Sequence, residues 1–158
     1  TVPFAYPKHE DLKSKLDLYW AASKAAGHDP KTVEVMGAYH LSVADTDEEA
    51  HALGREYFTR YWKFFAGLDQ KVAWKSSDYK EYKGGLSKLF GNASYEDLDQ
   101  GDCVIFGTPE RCTRRLQRAE KDFGLTYAIF EINFGGFPHK EAMKSLEMFA
   151  KYVMPNFK

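Results

Sequence analysis

An α/β fold built on a parallel sheet is predicted by three observations. Helix, strand, loop and helix succeed one another over Gly107–Phe157 with short links, which is the alternation of α/β proteins. The strand of that series, Tyr127–Asn133, is β-branched, aromatic and nearly continuously apolar, as strands buried on both faces of a parallel sheet are. A second apolar run, Val33–Val43, has the same character and also leads into a helical pattern.

The elements follow in order. Thr1–Pro7 is irregular, because Pro3 and Pro7 break any helix. Glu10–Ala26 reads as a helix with Leu12, Leu16, Tyr19, Trp20 and Ser23 on one stripe, closed by Gly27. The strand Val33–Val43 carries His40 inside it. Thr46 with Glu49 fits a capping box for a helix running to about Phe65, with Ala50, Leu53, Tyr57, Phe58, Tyr61 and Phe64 as its apolar positions. Residues 67–100 differ in kind, being rich in Lys, Tyr and Gly with weak periodicity; they are expected to be a flexible insertion, with short helices near Leu86–Phe90 and Tyr95–Leu98. Asp102–Phe106 is a short apolar piece. Thr108 caps the next helix, Pro109 suits its first position, and Gly124 ends it. After Phe134–Phe137, Pro138-His139 opens the last helix, with Ala142, Leu146, Phe149 and Val153 on one stripe.

The 158 residues suffice for a single domain with a sizeable core. A net charge of -1 gives no reason to expect nucleic acid or an anionic membrane as partner, and no run is long enough to span a bilayer. Cys103 and Cys112 have neither metal-type nor CxxC spacing, so two reduced thiols in a cytoplasmic protein are expected. Aromatic content of 16% fits a bulky core or a site for a flat ligand. No Ser/His/Asp set, Walker loop, dinucleotide fingerprint or metal cluster is visible.

Four pieces, in order, resemble the C-terminal part of the bacterial luciferase-like flavin monooxygenase family. They are AAGHDPKTVEV at Ala25–Val35, HLSVADTDEEA at His40–Ala50, GTPERCTRRLQ at Gly107–Gln117, and NFGGFPHKEAMKSLEMFAKYVMPNF at Asn133–Phe157. The resemblance implies a (β/α)8 TIM barrel carrying reduced FMN, or the deazaflavin F420, at the C-terminal ends of its strands. Such a barrel needs roughly 250 residues and eight strands. The expectation is therefore the C-terminal portion of a barrel, incomplete, with few parallel strands and flanking helices, and the flavin bound mainly by strands that precede it. A part-barrel leaves strand edges unpaired and inner residues wet, so it either pairs with another copy or is a fragment of a larger protein.

Candidate site residues come from both sources. His139 follows the last strand, where barrels place their active sites, and Phe137-Pro138-His139 is similar to the YPH loop of the alkanesulfonate monooxygenase branch, with Phe in place of Tyr. His40 resembles a strand histidine of that branch, although Ala38 stands where the branch has an arginine. For both histidines a structural role, capping a helix or bonding to backbone, is the alternative. Glu131 is the strand carboxylate to consider as an acid or base. Gly135 and Gly136 either admit a flavin edge or anion close to the backbone or simply make a tight turn. Phe137 is a candidate substrate contact, and Lys71 and Lys75, with Lys80, Lys83 and Lys88, belong to a lid over an anionic group or to a solvated loop.

The resulting functional expectation is the C-terminal segment of a flavin-dependent monooxygenase that acts with O2 on a small organic substrate, supplied by a flavin reductase and homo-oligomeric, the isolated segment being inactive. The alternative is a truncated, non-catalytic relative that self-associates and binds flavin or serves as an interaction module.

Overall fold

The computed structural model describes residues 9–71 and 93–157. Its centre is a three-stranded parallel sheet in the order β2-β1-β3, made of β1 (Met36–Val43), β2 (Val104–Gly107) and β3 (Tyr127–Glu131). The short apolar piece after Asp102 is thus a full member of the sheet, and β1 is its middle strand. Four residues of β1, His40 to Val43, pair with Val104 to Gly107, while Met36 to His40 pair with Tyr127 to Glu131. Each outer strand therefore holds one half of β1.

Side chains alternate across a strand, so β1 serves two layers. Tyr39, Leu41 and Val43 point into an aliphatic layer with Ile105. That layer is closed by helix α1 (His9–Ala25) through Leu12 and Leu16, by helix α5 (Pro109–Phe123) through Cys112, Leu116, Ala119 and Phe123, and by Val153. The other layer is aromatic. There Phe58, Tyr95, Phe106, Phe134 and Phe137 are buried together.

The aromatic layer is built by one long helix with a local change of winding. Helix α2 (Asp47–Leu53) passes through a π-turn at Gly54–Phe58 into α3 (Thr59–Lys71), all in right-handed helical conformation. Gly54 lies where a Cβ would collide with the rings of Tyr95 and Phe106, so a side chain there would push the helix off the sheet. Thr46 caps α2 by accepting from the Glu49 amide at 3.1 Å, but the Glu49 carboxylate turns instead to Lys144, 2.9 Å away. Half of the expected capping box is present.

The expected Thr108 cap, Pro109 at the first turn and Gly124 in the left-handed conformation (φ 68°) all hold for α5. An ion network joins α5 to α4 (Tyr95–Gln100) and the turn after it: the buried Arg115 bonds the Val104 carbonyl at 2.8 Å and pairs with Asp99 at 2.7 Å, and the exposed Arg118 reaches Asp102. Both cysteines are buried thiols outside any disulfide, and burial pushes each up to about 12.

Several expectations are corrected. Strand β3 is not buried on both faces, because it is a sheet edge: Tyr127 is 60% exposed and Ile129 46%. Their register partners on β1 are Met36 and Ala38, the half of the aromatic face beyond the reach of Phe58 and Phe134. In the last helix, α6 (His139–Met148), Leu146 is exposed and Ser145 faces inward, its hydroxyl accepting from the Val43 amide at 2.8 Å. The helix turns its inner stripe by one residue to satisfy the end of β1. Likewise Tyr19 and Phe64 are exposed, whereas His9, outside the expected stripe, is buried. The expected helix at Leu86–Phe90 lies outside the described residues, while that at Tyr95–Leu98 is α4.

Candidate functional site

His40 and Glu131 are separated by 90 intervening residues, yet they are direct register partners across β1 and β3. Parallel pairing in register puts both side chains on the aromatic face. His40 Nε2 stands 3.2 Å from Glu131 Oε2, at an angle that makes no hydrogen bond, so Nε2 is a buried nitrogen with no hydrogen-bond partner. The Tyr61 hydroxyl donates to the same Oε2 at 3.0 Å. Tyr61 belongs to α3, one turn beyond the π-turn that sets the helix against the sheet.

Rings surround His40. Phe58 and Tyr61 meet it edge to face at 4.8 Å between centroids, and Phe134 does so at 5.2 Å. Phe134 in turn stacks on Phe106. Inside this box the imidazolium loses its hydration without a hydrogen bond in return, and burial lowers the His40 pKa to about 4. His40 is therefore neutral at pH 7. Tyr61 is pushed up to about 12, first by burial and then by its bond to Glu131, so its phenol is a donor and not a base. A neutral imidazole, a half-exposed carboxylate and a phenol donor at one strand end can orient a polar group and hold a proton.

The remaining candidates lie nearby but apart. Gly135 (φ 60°) and Gly136 (φ 79°) form a tight turn closed by the Phe137 amide on the Phe134 carbonyl at 2.9 Å. The close approach that Gly135 permits is to the protein's own helix: a Cβ there would overlap the Tyr57 carbonyl. Arg60 Nη1 donates to the Gly135 carbonyl at 3.2 Å. Phe137 is buried against Tyr57 and Phe134. His139 is exposed on the first turn of α6. Lys71 ends α3, and its side chain, with Lys75, Lys80, Lys83 and Lys88, lies outside the described residues. Thus the fold brings His40 and Glu131 together and adds Tyr61, Phe58 and Phe134, which the sequence marked only as apolar or loop positions.

Two grooves lie elsewhere. One of about 630 Å³ runs between α5, β3 and the chain end, lined by Leu116, Leu125, Phe130, Phe149 and Phe157 among others. The other, about 330 Å³, lies between the π-turn and α4. Neither includes His40 or Glu131. Among the described residues no helix is long and apolar enough to cross a membrane, and no cluster of metal-ligating groups forms.

Comparison with known proteins agrees with the fold. Residues 2–126 match the family described as luciferase-like monooxygenase. The chain superposes on the monooxygenase RslO1 from Streptomyces bottropensis with a TM-score of 0.61 and 20% identity, covering 100% of this chain and 41% of that one. It superposes on the oxygenating constituent of 3,6-diketocamphane monooxygenase from Pseudomonas putida, solved with FMN, with a TM-score of 0.63 and 18% identity, covering 97% and 42%. For the coenzyme F420 dependent tetrahydromethanopterin reductase from Methanopyrus kandleri the values are 0.56, 17%, 97% and 44%. The chain thus spans about two fifths of the length of these structures. No curated protein matches.

Proposed function

This chain belongs to the luciferase-like monooxygenase family, and from that premise we propose that it is the C-terminal segment of a flavin-dependent monooxygenase acting with O2 on a small organic substrate. The observation that carries this reading is the His40–Glu131 pair, set in register on the aromatic face of parallel strands and roofed by aromatic rings.

The cofactor proposed is reduced FMN or F420. The described residues do not by themselves fit it: Phe58 and Phe134 are each 2% exposed, and their rings fill the space beside His40. The Gly135 approach is taken by Tyr57. The flavin contacts are therefore assigned mainly to parts of the protein that precede this chain, and no step is routed through the flavin here. What this chain contributes is a wall. Its rings exclude water, and the half-exposed Glu131, with the buried His40 behind it, orients a polar group of the substrate. His139, Gly136 and Phe137 border the same strand ends, and Lys71 and Lys75 are proposed to belong to a lid. A flavin reductase, homo-oligomerisation and a cytoplasmic setting complete the proposal.

A second reading, a non-catalytic relative that self-associates, is favoured by the exposed Tyr127 and Ile129 on the β3 edge. Titration with FMN and with F420, followed by fluorescence, and then oxygen uptake with a reductase supplying reduced FMN, tests the two. Saturable binding with His40- and substrate-dependent oxygen consumption supports the monooxygenase. Binding of neither flavin, together with a sedimentation mass at a multiple of 18.1 kDa, favours the second reading.

A further inference from the structure

We propose that Tyr61 is the positioning residue of this site: its hydroxyl pins Glu131 so that the carboxylate stands beside the buried His40 Nε2 without hydrogen-bonding it. The inference rests on reading His40 and Glu131 as substrate-facing groups.

Three observations carry it. Glu131 Oε2 is shared between a bonded phenol at 3.0 Å and a non-bonded imidazole nitrogen at 3.2 Å. A carboxylate that close to a histidine ordinarily takes the hydrogen bond and holds the ring charged, whereas here Nε2 is buried with no hydrogen-bond partner. The phenol is itself held in place: Tyr61 packs against His40, Phe58 and Phe134 on a helix whose π-turn fixes its approach to the sheet. The groups facing His40 are Phe58 and Tyr61 from the long helix, Phe134 from the loop, Val104 from β2 and Glu131 from β3. Of these only Glu131 carries a carboxylate, so a turn of that one side chain onto Nε2 would add a hydrogen bond that works against the lowering by burial. A neutral Nε2 can accept from, or donate to, a hydroxyl, an N–H or a carbonyl, and a charged one would lose the first of these options.

The test is the His40 titration, followed by NMR on the isotope-labelled protein and assigned by its loss in His40→Gln. It is recorded for the wild type, Tyr61→Phe, Glu131→Gln and the double variant. With the phenol removed, the carboxylate turns onto Nε2, and the His40 midpoint rises by about one pH unit or more, roughly a tenfold gain in proton affinity. In the double variant that rise disappears. An unchanged midpoint in Tyr61→Phe, or the same shift with and without Glu131, overturns the proposal. A second readout does not depend on Tyr61→Phe folding. Glu131→Gln removes the charged acceptor of the phenol, so the Tyr61 Cζ resonance moves at pH 7; a stationary resonance overturns the proposal as well. Both readouts need no flavin, so failure of flavin binding and failure of the positioning role are separate results.

Discussion

The two faces of strand β1 are made by alternate residues of one eight-residue segment, and they are built on different rules. Tyr39, Leu41 and Val43 enter an aliphatic layer closed along its length by α1, α5 and the turn after α6. His40 and Ser42 enter the aromatic layer, which is closed only over its C-terminal half; His40 Nε2 and Ser42 Oγ there lack hydrogen-bond partners, as does the buried Tyr39 hydroxyl on the aliphatic face. The first face is arranged for burial. Both faces keep a dry polar atom, but only the second sets an imidazole beside a carboxylate there, an arrangement that costs stability and that functional sites retain.

Four experiments break or sharpen this contrast. The largest effect is expected on the aliphatic face, where Leu41→Ala removes a fully buried side chain with no room to collapse and costs about 3–4 kcal/mol by chemical denaturation. Gly135→Ala is expected to cost about 3 kcal/mol, since it combines a positive φ with overlap on the Tyr57 carbonyl, and Gly136→Ala only about 1 kcal/mol, its nearest neighbour being Arg60 Nη1 at 3.5 Å. Equal losses at the two glycines would show that the turn does not abut the helix.

The third effect is of pH. His40 has a folded pKa of about 4 against an ordinary 6.5, so the unfolded chain binds more protons in that window. Stability is then fully present above about pH 6.5 and falls as the pH drops towards 4, by up to about 3 kcal/mol. Denaturation series at pH 7, 6, 5 and 4 should show this slope in the wild type and a shallower one in His40→Phe. The smallest effect belongs to Ser42→Ala. Removing a buried hydroxyl that lacks a hydrogen-bond partner is expected to change stability by less than about 1 kcal/mol, and in the stabilising direction. A loss comparable to that of its neighbour Leu41 would erase the distinction between the faces.

The sequence by itself determined the features that local chemistry controls. Thr108, Pro109 and Gly124 marked the ends of α5 because a cap, a missing amide and a left-handed residue act within one turn. The apolar runs marked β1 and β3, and four ordered pieces pointed to the family that residues 2–126 match. Only the tertiary structure decided the rest. Periodicity gives a residue's phase along its own element and says nothing of its partner, so the opposition of His40 and Glu131 follows from the register of strands distant in the chain. Tyr61 read as one more apolar position, because a π-turn resets the helical phase ahead of it and its acceptor lies 70 residues on. The exposure of β3 was hidden for a similar reason: an apolar strand has one composition whether or not a neighbour covers it, and coverage is a property of the assembled sheet.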